Sequence, residues 1–377
     1  MHRYLAMSES DRSPPGLSAA ERLTRRAAAK PGLISFAGGL PDPALFPKRD
    51  LAEAFLSALT AHGRVALQYG WPEGSGDLRD YVAGRLRQRG AQVDAEDVII
   101  TSGAQQAVLL ALSAAPQRRA IGVDAESYPG ALDAFRAAGA ELVSLEQRAP
   151  LYYVMPAVGN PRGQRMTEDE RTALLHRARR HRGYVLEDDA YEGTSFDGVE
   201  TRPLLADAPE RVFHIGTFSK TLCPGLRIGW LVPPRRLSAK ALRRKQTQDL
   251  QANGLTQALL IEYLKGGRLE RLKERARRRY RRKLGVLQAV VRRLLPDFRF
   301  TPPLGGFSLW LESERGFQER ALLRAAVERG VSFDPGSSFR ALGRGKAALR
   351  LCYSAVPEGE IERGVQRLAQ ALRVCKP

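Results

Sequence analysis

The sequence predicts an α/β protein: a seven-stranded, mainly parallel sheet with helices on both faces, followed by a smaller α/β C-terminal domain. Three observations carry this reading. From Asp97 onward, short apolar runs at 97–101, 120–124, 141–145, 151–156, 184–188, 212–216 and 228–232 alternate with helical patterns, as parallel strands joined by crossovers do. The polar and glycine-bearing signals fall just after these runs, where ligands gather in such sheets. The 377 residues, 43% of them hydrophobic, suffice for two domains with ordinary cores. The expected division is 1–45 as an N-terminal arm with part of the small domain, 46–250 as the large ligand-binding domain, and 251–377 as the small C-terminal domain.

Taken in order, 18–29 reads as a helix that carries Arg22, Arg25 and Arg26. A short strand at 33–36 runs into Gly38-Gly39-Leu40-Pro41, a turn whose glycines let the backbone approach a ligand closely. Helices are expected at 50–61 and, after the turn Tyr69-Gly70-Trp71-Pro72, at 78–89. Thr101-Ser102-Gly103-Ala104-Gln105-Gln106 then opens an apolar helix to 115, whose free N–H groups and positive dipole end suit a phosphate. Ser127-Tyr128-Pro129-Gly130 places an aromatic ring either against a planar ligand or in the core. Asn160-Pro161-Arg162-Gly163 is a turn by composition. In Glu187-Asp188-Asp189-Ala190-Tyr191, carboxylates and a phenol crowd a strand end, where burial demands partners. Beyond Val232 come basic helices at 236–252, 254–265 and 268–295. The chain then returns to α/β, with a helix at 318–329, strands at 331–333 and 348–353, and a last helix at 358–372.

Composition narrows the function. Sixty Lys and Arg against 41 Asp and Glu give a net charge of +19, much of it between Arg235 and Arg293. Such an excess attracts anions without selecting them, and only Tyr263 and Tyr280 interrupt the region with aromatic rings, so a solvated helical face is expected and specific nucleic-acid binding is not. Three widely spaced cysteines indicate neither a disulfide framework nor a metal knuckle. Apolar runs stay short of a bilayer span and the first residues lack a signal-like stretch, so the expectation is a cytoplasmic protein with no metal.

The stretch 212–230 organises the rest. Lys220 sits just past an apolar strand, where a buried cation must be paired, neutralised or covalently committed. Thr217 and Ser219 offer hydroxyls and Arg227 a fixed cation, which together form a phosphate cradle beside the amine. A reactive lysine next to a phosphate site is what pyridoxal phosphate needs, and a carboxylate such as those near Tyr191 would pair its pyridinium N–H.

With these pieces in place, the sequence resembles the fold type I pyridoxal-phosphate aminotransferases over nearly its whole length. It is most similar to the 2-aminoadipate and kynurenine aminotransferases and to the aminotransferase-like domains of winged-helix regulators. The resemblance is carried by Phe36-Ala37-Gly38-Gly39-Leu40-Pro41, Tyr69-Gly70, Ser102-Gly103-Ala104-Gln105-Gln106, Tyr128-Pro129-Gly130, Asn160-Pro161 with Gly163, Glu187-Asp188-Asp189-Ala190-Tyr191, Ser219-Lys220 with Pro224-Gly225-Leu226-Arg227, and Leu349-Arg350-Leu351. It implies that Lys220 holds the cofactor covalently and moves the proton on substrate Cα. It also implies that Asp188 pairs with the pyridine nitrogen, that Tyr191 and Asn160 bond the ring's phenolic oxygen, and that Tyr128 stacks on the ring. Gly103, Ala104, Gln105, Thr217, Ser219 and Arg227 would hold the phosphate, with Tyr69 reaching in from a second subunit of a homodimer. Arg350 would grip the substrate α-carboxylate with help from Asn160 and the backbone at Gly39, and Arg22 would meet a distal carboxylate.

Two departures stand out. Between Leu145 and Leu151 the chain runs almost directly from strand to strand where relatives insert a helix, so part of the sheet is expected to be exposed. Arg162 and Ala104 stand where small hydroxyl residues are usual. The leading expectation is an aminotransferase passing the amine of an amino acid to a 2-oxo acid, 2-oxoglutarate among them. Lyase, decarboxylase or oxidase chemistry on the same site is the alternative. A ligand-sensing domain is a third reading, disfavoured because the stretch before Leu33 is too short for a winged-helix module.

Overall fold

A computed structural model describes residues 32–116, 119–343 and 345–375, so the helix expected at 18–29 and its Arg22 lie outside the described residues. The larger of its two sheets has seven strands. They are β2 (Ile99–Thr101), β3 (Ala120–Val123), β4 (Glu141–Ser144), β5 (Leu151–Val154), β6 (Tyr184–Asp188), β7 (Val212–Thr217) and β8 (Gly229–Val232). Their order across the sheet is β2-β8-β7-β6-β5-β3-β4. The run from β4 to β7 is parallel throughout, and only β8 opposes its neighbours β2 and β7. Strands β5, β6 and β7 are buried at every residue, which is why they read as mainly apolar runs, with Glu187, Asp188 and His214 as buried exceptions. The expected seven strands are all present, each within a few residues of its expected bounds.

Two helices that sequence patterning passed over complete the layers. Pro129–Ala137 begins where Pro129-Gly130 looks like a turn, because proline at the first helical position loses no intrahelical bond. Glu168–Arg180 is so rich in charge that its apolar stripe is thin, and a capping box between Thr167 and Glu170 defines its start.

The shortened connection is the unusual part of this sheet. Parallel strands normally need a crossover of about a dozen residues or more, yet β4 and β5, on opposite sides of β3, are joined by 145–150 alone. The ring of Tyr152 replaces the missing cover. It lies against Gly122 of β3, where an added Cβ would meet ring carbon Cε1 at 2.9 Å. Its hydroxyl accepts from the Ala149 N–H at 3.0 Å and donates toward Gln147 O at 3.0 Å. Tyr152 is fully buried, and β3 stays buried over Ile121–Val123. The exposure expected from losing a helix is therefore confined to the edge strand β4, which is exposed or half-buried along its length.

The second sheet ties the two ends of the chain together. β1 (Ile34–Phe36), β9 (Phe298–Arg299), β10 (Ser308–Ser313), β11 (Val331–Pro335) and β12 (Ala348–Cys352) are arranged β1-β11-β12-β10-β9. β1 runs parallel to β11, with Phe36 opposite Phe333. Gly364 in the helix Ile361–Val374 leaves room for the Phe36 ring, which is wholly buried.

The basic helix Arg268–Leu294 is more than a solvated face. Arg271, Arg278 and Arg281 do point outward, but Lys273 and Lys283 are buried. Lys283 Nζ donates to Asp42 Oδ2 at 2.8 Å and to Ser354 O at 2.6 Å, and Arg279 reaches the same Asp42 oxygen at 2.6 Å. The Asp42 N–H in turn donates to Tyr280 Oη at 2.9 Å. Burial raises the Asp42 carboxyl, but bonds from Lys283, the Ala44 N–H and Arg279 outweigh it and hold it below the usual carboxylate range. Among the described residues no helix is long and apolar enough to cross a membrane.

Candidate active site

Lys220 lies three residues past the end of β7, in a turn shaped by hydroxyls. Thr217 Oγ1 donates to Ile228 O at 2.8 Å and accepts from the Ser219 N–H at 3.1 Å, closing the chain back onto β8. Lys220 Nζ donates to Gly39 O at 3.1 Å and stands 5.5 Å from the centre of the Tyr191 ring. Burial, and after it the nearby Arg350 cation, lower its amine to about 8. A neutral amine, the form that attacks a carbonyl carbon, is therefore within reach near neutral pH.

The anion cradle forms where β2 gives way to the helix Ala104–Ala114. Gly103, at φ 90°, precedes the first helical residue, so the free N–H groups of Ala104 and Gln105 point out of the helix end. A Cβ on Gly103 would stand 2.5 Å from Arg227 Nη2, so only glycine lets that guanidinium lie over the helix start. Arg227 itself is left-handed at φ 53° and donates to Ser102 O at 3.2 Å. Asp249, which pairs with Lys245 at 2.6 Å, braces the loop by accepting from Gln106 Nε2 at 2.7 Å. Gln105 presents only its backbone to this space, because its side chain donates to Gly130 O at 2.8 Å and lies 3.4 Å from Tyr128 Oη.

Asp188 ends β6 and is 3% exposed. Its Oδ1 accepts from the Ala190 N–H at 3.0 Å and its Oδ2 from Tyr153 Oη at 2.8 Å. Burial raises its carboxyl above the ordinary value despite both bonds. Among the described residues no cationic side chain forms an ion pair with it, whereas its neighbours are served: Asp189 meets Arg89 at 2.7 Å and Glu187 meets His214 at 3.0 Å. Asp188 thus keeps a place for an N–H cation brought by a ligand.

Arg350, on β12, is the third centre. Its Nη1 donates to Asn160 Oδ1 at 2.7 Å, its Nη2 donates to Asp334 Oδ2 at 2.7 Å, and its guanidinium carbon lies 4.4 Å from the centre of the Phe339 ring. A Cβ placed on Gly39 would stand 3.4 Å from Arg350 Nη2 and 3.5 Å from Tyr191 Oη. Gly39 therefore keeps open a small space that touches the cation, the phenol and, through its own carbonyl, the lysine.

The structure brings together Lys220, Gly39, Tyr191, Arg350 and Asn160, with Asp188, Tyr128 and the anion cradle alongside. Tyr69 stands apart. It is 80% exposed, beside the exposed Val65, Leu67 and Trp71. Sequence reasoning missed Tyr153 and Asp334. Tyr153 meets Asp188 only because β5 pairs with β6, which no local pattern reveals. Asp334 had a signal, a lone carboxylate closing the apolar strand Val331–Pro335.

The site fits pyridoxal phosphate on three counts: a buried carboxylate that lacks a cation, a lysine pushed toward its neutral form, and a glycine-lined anion cradle at a helix N-terminus. When bound, that group supplies a carbonyl carbon for amines and a ring that takes up the electrons released at substrate Cα.

The comparisons agree. Residues 38–150 and 154–368 match the family described as aminotransferase class I and II, and the gap falls beside the shortened crossover. The 2-aminoadipate transaminase of Thermus thermophilus is 37% identical over 375 residues, covering 93% of this chain and 92% of that protein. Among solved structures, LysN, the α-aminoadipate aminotransferase of the same species complexed with N-(5'-phosphopyridoxyl)-L-leucine, is 35% identical with a TM-score of 0.84 and covers 95% of each chain. The kynurenine aminotransferase of Pyrococcus horikoshii is 29% identical with a TM-score of 0.89, covering 99% of this chain and 96% of its own. The chain belongs to the class I and II aminotransferases and is a pyridoxal-phosphate-dependent transaminase of fold type I.

Proposed function

We propose that this transaminase takes the amino group of an acidic or aromatic L-amino acid, with 2-aminoadipate and glutamate the first candidates, and delivers it to a 2-oxo acid such as 2-oxoglutarate. The observation that carries the reading is the small space at Gly39, which borders Arg350, Tyr191 and, through the Gly39 carbonyl, Lys220. A substrate whose α-carboxylate lies on Arg350 brings its α-amino group and Cα toward Lys220. Lys220 would hold the cofactor covalently, and its amine, once released, would move the proton on substrate Cα. Asp188 would keep the pyridine nitrogen protonated, and Tyr153 and the Ala190 N–H hold that carboxylate in place. Tyr191 and Asn160 would bond the ring's phenolic oxygen, Tyr128 would stack on the ring, and Gly103, Ala104, Gln105, Thr217, Ser219 and Arg227 would hold the phosphate.

The acidic and aromatic donors are suggested by the relatives named above, and Arg22 is the candidate for a distal carboxylate. The reading includes a cytoplasmic homodimer. Its support is the exposed apolar group Val65, Leu67, Tyr69 and Trp71, a surface suited to a second copy that receives Tyr69 at its phosphate cradle. The division of the chain at about residues 45 and 250 is part of the same proposal, and the membership of β1 in the C-terminal sheet supports it.

The test is the absorption spectrum of the holoenzyme during donor and acceptor addition, with Lys220→Ala beside it. The expected outcome is conversion to the amine form of the cofactor by glutamate or 2-aminoadipate and its return with 2-oxoglutarate. Release of ammonia, carbon dioxide or peroxide without an acceptor would instead favour the lyase, decarboxylase or oxidase reading. Cofactor held by Lys220 with no conversion by any donor would point to sensing.

A further inference from the structure

We propose that Asp334 is a positioning residue for substrate binding: it occupies the side edge of the Arg350 guanidinium and leaves the end edge, facing Gly39, as the grip for the α-carboxylate. This rests on the reading of Arg350 as the carboxylate site.

A guanidinium offers two edges on which a carboxylate can dock with two parallel hydrogen bonds, one made by Nε and Nη2 and one made by Nη1 and Nη2. In this site the first is taken. Asp334 Oδ2 accepts from Nε at 3.1 Å and from Nη2 at 2.7 Å. Asn160 accepts one proton of Nη1, and the Phe339 ring covers one face of the group. What remains is the end edge, whose two nitrogens are the ones that a Cβ at Gly39 would approach, at 3.4 and 3.7 Å.

The same carboxylate also fixes what lies opposite. The Gly38 N–H donates to Asp334 Oδ2 at 3.1 Å, so the loop that carries Gly39, and with it the acceptor of Lys220, is tied to the group that holds Arg350. The tie is set by backbone geometry, because Asp334 and Arg350 are direct cross-strand partners in the antiparallel pair β11 and β12. A guanidinium free to turn would accept carboxylates on either edge and displace Cα relative to Lys220, whereas a pinned one presents a single pose.

The experiment uses the holoenzyme and its Asp334→Ala, Asp334→Asn and Arg350→Gln variants. Each is assayed with the better donor of L-glutamate and L-2-aminoadipate and with the matching amine that lacks the α-carboxylate, 4-aminobutanoate or 5-aminopentanoate. Asp334→Ala is expected to raise KM for the amino acid about tenfold with a smaller change in kcat, and to cut the preference for amino acid over amine by a similar factor. Asp334→Asn, which keeps an oxygen for Nε and Nη2, stays within about threefold of wild type. An unchanged KM in Asp334→Ala, or equal slowing of amino acid and amine, would overturn the proposal while Arg350→Gln still loses the preference. If Arg350→Gln keeps the preference, the carboxylate reading of Arg350 falls, and the role of Asp334 falls with it.

Discussion

Asp188 and Lys220 stand at or just past the ends of two neighbouring parallel strands, 32 residues apart in the chain. Gly39 on one side and Asp334 and Arg350 on the other come from opposite ends of the chain, joined by the second sheet, in which β1 pairs with β11 and β11 with β12. The first group, assigned to the cofactor, is built from turns that follow single strands, so each turn is encoded where it occurs. The second group, assigned to the substrate, exists only once the N-terminal strand has docked beside C-terminal ones. Asp42 clamps it, because the ion pairs from Lys283 and Arg279 hold the 38–42 loop against the long basic helix. Cofactor chemistry here depends on short segments, and substrate geometry depends on long-range assembly.

Substitutions separate the two groups by size of effect. The largest is Lys220→Ala, which should lower kcat by on the order of 10⁴-fold or more and abolish covalent cofactor retention, read by mass after borohydride treatment. Retention of covalent cofactor at another lysine would break the assignment. Asp42→Ala strands the buried Lys283 ammonium and should cost about 3–5 kcal/mol in denaturant unfolding. In the folded fraction it should raise KM for the amino donor more than it weakens cofactor binding, and the reverse pattern would erase the contrast between the halves.

Tyr153→Phe removes one of two bonds that oppose the effect of burial on Asp188, so that carboxyl rises further and pairs less well with the pyridine nitrogen. A loss of roughly tenfold in kcat with KM little changed is expected, measured across the pH profile. The smallest effect concerns stability. Because Lys220 falls to about 8 in the folded state, the unfolded chain binds its proton more tightly. That group therefore disfavours the cofactor-free fold below its folded value, and the penalty fades as pH rises toward the ordinary lysine range. Cofactor-free Lys220→Met should melt slightly above wild type at pH 7, with the gap narrowing by pH 9.5. A gap that is constant with pH would mean that the amine is not desolvated.

Much of the fold was legible because its signals are local. Strands buried on both faces carry polar residues only where those find partners, so β5, β6 and β7 announce themselves as mainly apolar runs. The helix Pro129–Ala137 was hidden for the opposite reason, since its opening residues are equally good in a turn. The basic helix was legible as a helix but not in its purpose. Lys283 and Arg279 look the same in sequence as the outward Arg278 and Arg281, and only burial against Asp42 distinguishes them.

Pattern and composition alone determined the α/β class, the seven strands, the glycine turns and the interest of Lys220, Arg227 and the carboxylates beside Tyr191, whereas the choice of Asp188 among those carboxylates and of Arg350 came from the family resemblance. Each of the former follows from periodicity, backbone freedom or the cost of burying charge, all of which are properties of short segments. The tertiary structure decided the order of the strands, the cover that Tyr152 provides for a six-residue crossover, and the partners of every buried charge. Register decides which side chains meet across strands far apart in sequence, and so the pairing of Tyr153 with Asp188 and of Asp334 with Arg350 is specified by no local pattern, even though Asp334 stands out as a lone carboxylate on its strand.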